Sequence, residues 1–201
     1  MPGAAALNQS RLDEIVLPSP RKQGGRPLLE MLARRRSSRE FAPREVEAQL
    51  LSDLLWAAFG INRPDGRRTA PSTRNWQEID TYVVMSRGGY LYDPRRCQLE
   101  TVLNEDIRAL TGSQDFVATA PLNLIYVADL ARTDSSDRTE QRFYTGIDAG
   151  LIVQNVYLFC ASEGLETVVR GLLDRKALAK KLTLRPEQRV IVAQTVGYSL
   201  H

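Results

Sequence analysis

Three short segments of the 201-residue chain combine residue types that could do chemistry. The first is Arg35-Arg36-Ser37-Ser38-Arg39-Glu40-Phe41. Guanidinium forks give charge-assisted hydrogen bonds to oxyanions, and hydroxyls can serve the remaining oxygens, so this run could enclose a phosphate. By residue type alone it reads more simply as a solvated basic helix end that complements the macrodipole. The second is Thr69-Ala70-Pro71-Ser72-Thr73-Arg74-Asn75-Trp76-Gln77. It joins a stiff proline to amide side chains that both donate and accept, as the polar edge of a flat heterocycle requires. An ordinary loop capped by Ser72 would read the same way. The third is Val168-Val169-Arg170-Gly171. Gly171 permits close backbone approach, and Arg170 is expected to bring positive charge to a pocket; taken alone, the run is also a plain strand end with a glycine turn.

Other chemistries lack their residues. The only histidine is His201, which excludes histidine-based triads and His-ligated metals. Cys97 and Cys160 are far apart and neither sits in a CxxC pair, so no metal site or redox pair is expected. Cys160 lies in an apolar helical stretch and reads as a small core residue. Difficult chemistry would therefore fall to a cofactor.

The elements that must hold these segments follow from periodicity. Residues 1–27 carry Pro2, Pro18, Pro20, Pro27 and Gly24-Gly25 and read as an extended arm without its own core, either wrapping a partner or hanging as a loose tail. Residues 28–201 form one domain. Helices are expected over 28–36 and 46–59, the second with an apolar stripe of Leu50, Leu51, Leu54, Leu55, Ala58 and Phe59 stopped by Gly60. Residues 61–77 are loop. Ile79–Met85, Tyr90–Tyr92 and Cys97–Val102 form a meander. A helix is expected to start near Asn104, a good N-cap, and a short one to cover 115–119. Leu122–Ala128 suits a central strand. The longest helix spans 143–162 and is apolar nearly all round from Ile147 to Ala161, broken by Asp148, Gln154 and Asn155. Such a helix must be covered on most sides, which suggests a subunit interface as well as a core. A strand at 165–169, a helix at 174–181 and a strand at 189–196 complete an α+β fold with a mostly antiparallel central sheet flanked by helices.

Composition bounds the partners. With 43% hydrophobic and 25% charged residues the chain is an ordinary globular protein. No apolar run reaches the roughly 20 residues of a membrane helix. No export signal opens the sequence, so it reads as cytoplasmic unless such a segment was removed. The net charge of +3 is too weak and too scattered for nucleic-acid binding.

Taken in order, the segments resemble a known family. Arg35 to Phe41 resembles the RRSxRxF signature of nitroreductases, and Pro71-Ser72-Thr73-Arg74-Asn75-Trp76-Gln77 resembles their PSxxNxQ segment. Gly150, Gln154, Asn155 and Gly164-Leu165-Glu166-Thr167 are similar to the family's long helix and GLGT turn, and Val196-Gly197-Tyr198 to its closing GYP. Leu55 to Arg63, Arg67 to Ser72 and the Tyr90–Pro94 hairpin resemble the single-domain sub-group related to SagB-type dehydrogenases. Arg74 to Gln77 is closer to ordinary nitroreductases.

The resemblance implies an FMN-dependent nitroreductase-like fold in an intertwined homodimer with FMN at the subunit interface. Arg35, Ser37 and Arg39 would hold the phosphate and ribityl chain, with Arg36 contributing mainly backbone. Pro71, Ser72 and Asn75 would meet the isoalloxazine ring, some from the second subunit. Val169, Arg170 and Gly171 would line its other edge, with Arg170 a candidate for tuning the flavin. Many relatives carry a further basic, phosphate-binding segment after the closing motif. This sequence stops at His201, so Arg170 or another arginine would take that place. The implied activity is NADH- or NADPH-dependent reduction of a nitroaromatic, a quinone or a similar electron-poor small molecule, by ping-pong transfer through flavin N5. The alternatives are a SagB-type dehydrogenase that oxidises a small molecule or a peptide heterocycle, and a flavin-binding carrier or sensor without turnover.

Overall fold

The computed structural model describes residues 14–200; the first half of the arm and His201 lie outside them. Seven strands form one sheet: β1 (Glu14–Val16), β2 (Ile79–Met85), β3 (Gly88–Asp93), β4 (Gln98–Leu103), β5 (Leu122–Asp129), β6 (Leu165–Arg170) and β7 (Gln188–Tyr198). Their spatial order is β1-β4-β3-β2-β5-β7-β6, and every neighbouring pair is antiparallel. Four helices cover it: α1 (Leu28–Arg34), α2 (Ala48–Phe59), α3 (Arg138–Glu163) and α4 (Arg175–Lys181).

Both sheet faces are buried, and side-chain alternation shows how. Val83, Leu124, Tyr126 and Ala128 pack into one core with Leu54 and Leu55 of α2 and Ile152 and Val156 of α3. Their neighbours Tyr82, Val84, Ile125 and Val127 pack into a second core with Leu178 of α4. A strand buried on both faces carries apolar residues at both parities, so β5 reads as a nearly continuous apolar run although all its pairings are antiparallel.

Helix α3 is the axis of the molecule. Asp137 starts it by accepting from Thr139 N at 2.7 Å, and Gly164 ends it at φ 72°, a left-handed position that glycine occupies without strain. Asn155 on α3 donates to the carbonyls of Ala57 and Ala58 at 3.1 and 3.3 Å, satisfying the last turn of α2.

One expectation is corrected. No α-helix starts at Asn104; Arg108–Thr111 and Asp115–Ala118 are single 3-10 turns. The Asp106 carboxylate explains the first: it accepts from Arg108 N and from its guanidinium, a local turn that competes with a helix. Within the arm, Glu14–Val16 adds an edge strand to β4, and Leu17 is buried in the core. Beyond it the Arg21 backbone and side chain both donate to Asp53 at 2.7 Å.

Candidate active site

Three of the four family-like runs meet at the open edge of the sheet. Beyond α1 the chain runs extended beside β6 and the end of β7: Ser38 N donates to Thr167 O and Ala42 N to Tyr198 O, each at 3.0 Å. This lays Arg35–Phe41 against Leu165–Arg170 and Val196–Tyr198. Phe41 packs beside Gly197, where a Cβ would come within 3.2 Å of its ring.

Tyr157 joins two candidate segments. Its hydroxyl accepts from Val169 N at 3.0 Å and lies 2.8 Å from Ser37 Oγ. The Arg35 guanidinium sits 5.3 Å from the centre of the same ring. The Arg36 side chain pairs with Glu166 at 2.7 Å. Arg39 is exposed. Arg35, Ser37 and Arg39 thus supply two guanidinium forks and a hydroxyl, a donor set that fits a phosphate. A cleft of about 290 Å³ lies alongside, between Arg34, Arg36 and the Gly164–Thr167 turn.

Arg170 is not where the sequence put it. Its guanidinium turns into the protein and is buried. It donates to Thr111 O at 2.6 Å, Thr111 Oγ1 at 3.4 Å, Asn123 Oδ1 at 2.8 Å and Thr195 Oγ1 at 3.0 Å. Burial alone pushes its pKa down to about 10, so it remains cationic at neutral pH. The side chain ties β6 to β5, β7 and the 108–111 turn. Its donors are spent on these four bonds. Gly171 is open instead: a Cβ there would meet nothing within 4 Å.

The Pro71–Gln77 loop lies at the other end of α3. Thr73 donates to Asp148 from its backbone N at 2.8 Å and from Oγ1 at 3.2 Å. Tyr157 lies nine residues beyond Asp148, about 13 Å along the helix. One chain therefore does not bring this loop to the Arg35–Arg39 run. Arg74, Asn75 and Gln77 all have positive φ, at 48°, 59° and 50°. Such backbone persists only where its surroundings over-determine it. Here Ser72 Oγ accepts from Gln77 N at 2.9 Å, Arg74 pairs with Asp134 and Glu140, and Trp76 Nε1 donates to Asp134 at 2.8 Å. Pro71 and Asn75 are left on the surface, with Ser72 half-buried between.

Sequence reasoning missed Tyr157, which is hidden in an apolar helix. It also missed the Thr111–Asn123–Thr195 cage, which only strand pairing assembles. Asp148 did leave a signal, as a break in that helix.

The chain is similar in sequence and fold to known proteins. The Nitroreductase family profile matches residues 32–198. A provisionally named nitroreductase of Methanocaldococcus jannaschii is 33% identical over 154 residues, 72% of this chain and 78% of that protein. The crystal structure of a provisionally named nitroreductase from Ralstonia eutropha superposes with a TM-score of 0.89 at 40% identity, covering 100% of this chain and 95% of that one. A chain of the Escherichia coli microcin synthetase McbBCD complex shares the fold, with a TM-score of 0.74 at 20% identity over 84% of this chain and 70% of that one. On its motifs, fold and relatives, the chain belongs to the nitroreductase family of oxidoreductases.

Proposed function

We propose that the protein is an FMN-dependent oxidoreductase working as a homodimer. It would take electrons from NADH or NADPH and pass them to an electron-poor small molecule such as a nitroaromatic or a quinone. The observation that carries this reading is the Tyr157 hydroxyl, which ties Ser37, within the Arg35–Arg39 run, to Val169 at the start of the Val169–Gly171 strand end. Bound there, FMN would supply two-electron hydride chemistry at its N5. Arg35 and Arg39 would neutralise the phosphate, and Ser37 would donate to it. The backbone of Val169–Gly171 would approach the ring edge, where open Gly171 removes any steric bar.

The dimer supplies what one chain lacks. Phe143, Ile147 and Leu151 of α3 are 63%, 44% and 38% exposed and form one apolar stripe. Gly146 and Gly150 lie beside it, and a Cβ on either would meet nothing within 4 Å. A second copy of α3 crossing here about a two-fold axis would carry the partner's Pro71, Ser72 and Asn75 to the donor set of the first chain. Each flavin would then have residues from both subunits, and water would be excluded between them.

Calorimetric titration of the flavin-free protein tests the site. Arg35→Ala combined with Arg39→Ala weakens FMN binding about 100-fold, roughly 3 kcal/mol, while riboflavin, which has no phosphate, loses little. Equal weakening of both ligands would contradict the phosphate assignment.

A further inference from the structure

Beneath the Pro71–Gln77 loop lies a carboxyl that none of the family motifs uses. Glu78 is 0% exposed, and neither of its side-chain oxygens has a donor from another residue. Its carboxyl faces Asp148, itself buried. Asp148 already accepts the two bonds from Thr73. A further charged group facing Glu78 is Arg132, just after β5. Its guanidinium is bound to Asp80 at 2.7 Å and to the Gln77 carbonyl at 3.1 Å, and lies 3.3 Å from Asp129. Among the described residues no cation donates a hydrogen bond to Glu78.

Two ionised carboxylates cannot share such a site, because both only accept hydrogen bonds and they repel. One proton between them removes both problems. We propose that Glu78 is a positioning residue: it holds a proton that it donates to Asp148, and this bond fixes the Thr73 anchor of the strained Ser72–Gln77 loop. The inference rests on the proposed flavin site only in that this loop would contact flavin. Burial, with Asp148 alongside, pushes the Glu78 pKa up to about 7. The folded state therefore keeps a proton that the unfolded chain releases near the ordinary carboxylate value. Stability from this bond is full below that value and is lost as pH rises through about 7. Above it, Glu78 and Asp148 repel and the loop loosens.

The test compares the purified protein with Glu78→Gln, whose amide donates to Asp148 at every pH. Infrared difference spectra between the two at pH 6 are expected to show the C=O stretch of a protonated carboxyl in the wild type, disappearing with a midpoint near 7. Emission from Trp76, inside the loop, is expected to change over the same range in the wild type and to stay flat in Glu78→Gln. FMN affinity is expected to fall several-fold between pH 6 and 8.5 in the wild type alone. Asp148→Asn is the second variant, should Glu78→Gln not fold; it lowers the midpoint, because the asparagine amide can donate to an ionised Glu78. No protonated-carboxyl band at pH 6, or a band with pH-independent Trp76 emission, would overturn the proposal. The first two readouts need no flavin, so a protein that binds no FMN sinks the flavin reading and leaves this inference to be decided by them.

Discussion

Arg170→Ala separates a clamp from a flavin-tuning charge. The guanidinium makes four hydrogen bonds to Thr111, Asn123 and Thr195, three of them at 3.0 Å or shorter. A hydrogen bond to a charged group contributes about 1.5–3 kcal/mol, and an unsatisfied buried acceptor costs a further 1–3. Against this stands the desolvation of a buried guanidinium with no carboxylate partner. Thr195 Oγ1 also still donates to Asn123 Oδ1 at 2.7 Å when Arg170 is gone. The net loss is therefore about 2–4 kcal/mol. For a chain of this size that lowers Tm by roughly 10 °C. Thermal unfolding followed by circular dichroism measures it on the flavin-free protein. Redox titration of the loaded protein gives the second reading, a midpoint potential within about 30 mV of wild type. A Tm within about 2 °C of wild type, together with a potential lowered by more than about 60 mV, would refute the clamp and restore the tuning role.

Two further outcomes follow from the same geometry. Tyr157→Phe leaves Val169 N without its acceptor and Ser37 without its partner, costing about 1–3 kcal/mol; FMN affinity falls at least about fivefold, checked by titrating the quench of flavin fluorescence. Gly150→Arg places a charged side chain on the open α3 stripe; analytical ultracentrifugation is expected to show monomers with little bound flavin and near-wild-type helix content, whereas an intact dimer would rule out this face as the interface.

Much of the architecture was legible because each element states its own period. The α2 stripe with its stop at Gly60 and the strand at Ile79–Met85 are local signals, and the structure follows them. Arg35–Phe41 and Pro71–Gln77 were legible as candidates by residue type. How far apart they sit was not, because that separation is set by the length of α3. The direction of Arg170 was not legible, because it depends on the cage of Thr111, Asn123 and Thr195, drawn from three distant parts of the chain. Asn104 misled because a good N-cap needs a following turn, and Asp106 diverts that turn to Arg108. Glu78 gave only the faint sign of a charge at the head of a buried strand.

The most direct test of the central claim is the absorption spectrum of the purified protein, supplied with FMN if needed, before and after anaerobic addition of NADH and then NADPH. Flavin bands that bleach with a nicotinamide and return with a quinone or nitroaromatic acceptor are the result expected of the proposed enzyme. Flavin bands that persist with both nicotinamides would contradict the reductase and favour a dehydrogenase or a carrier. The absence of bound flavin after soaking would contradict the site itself.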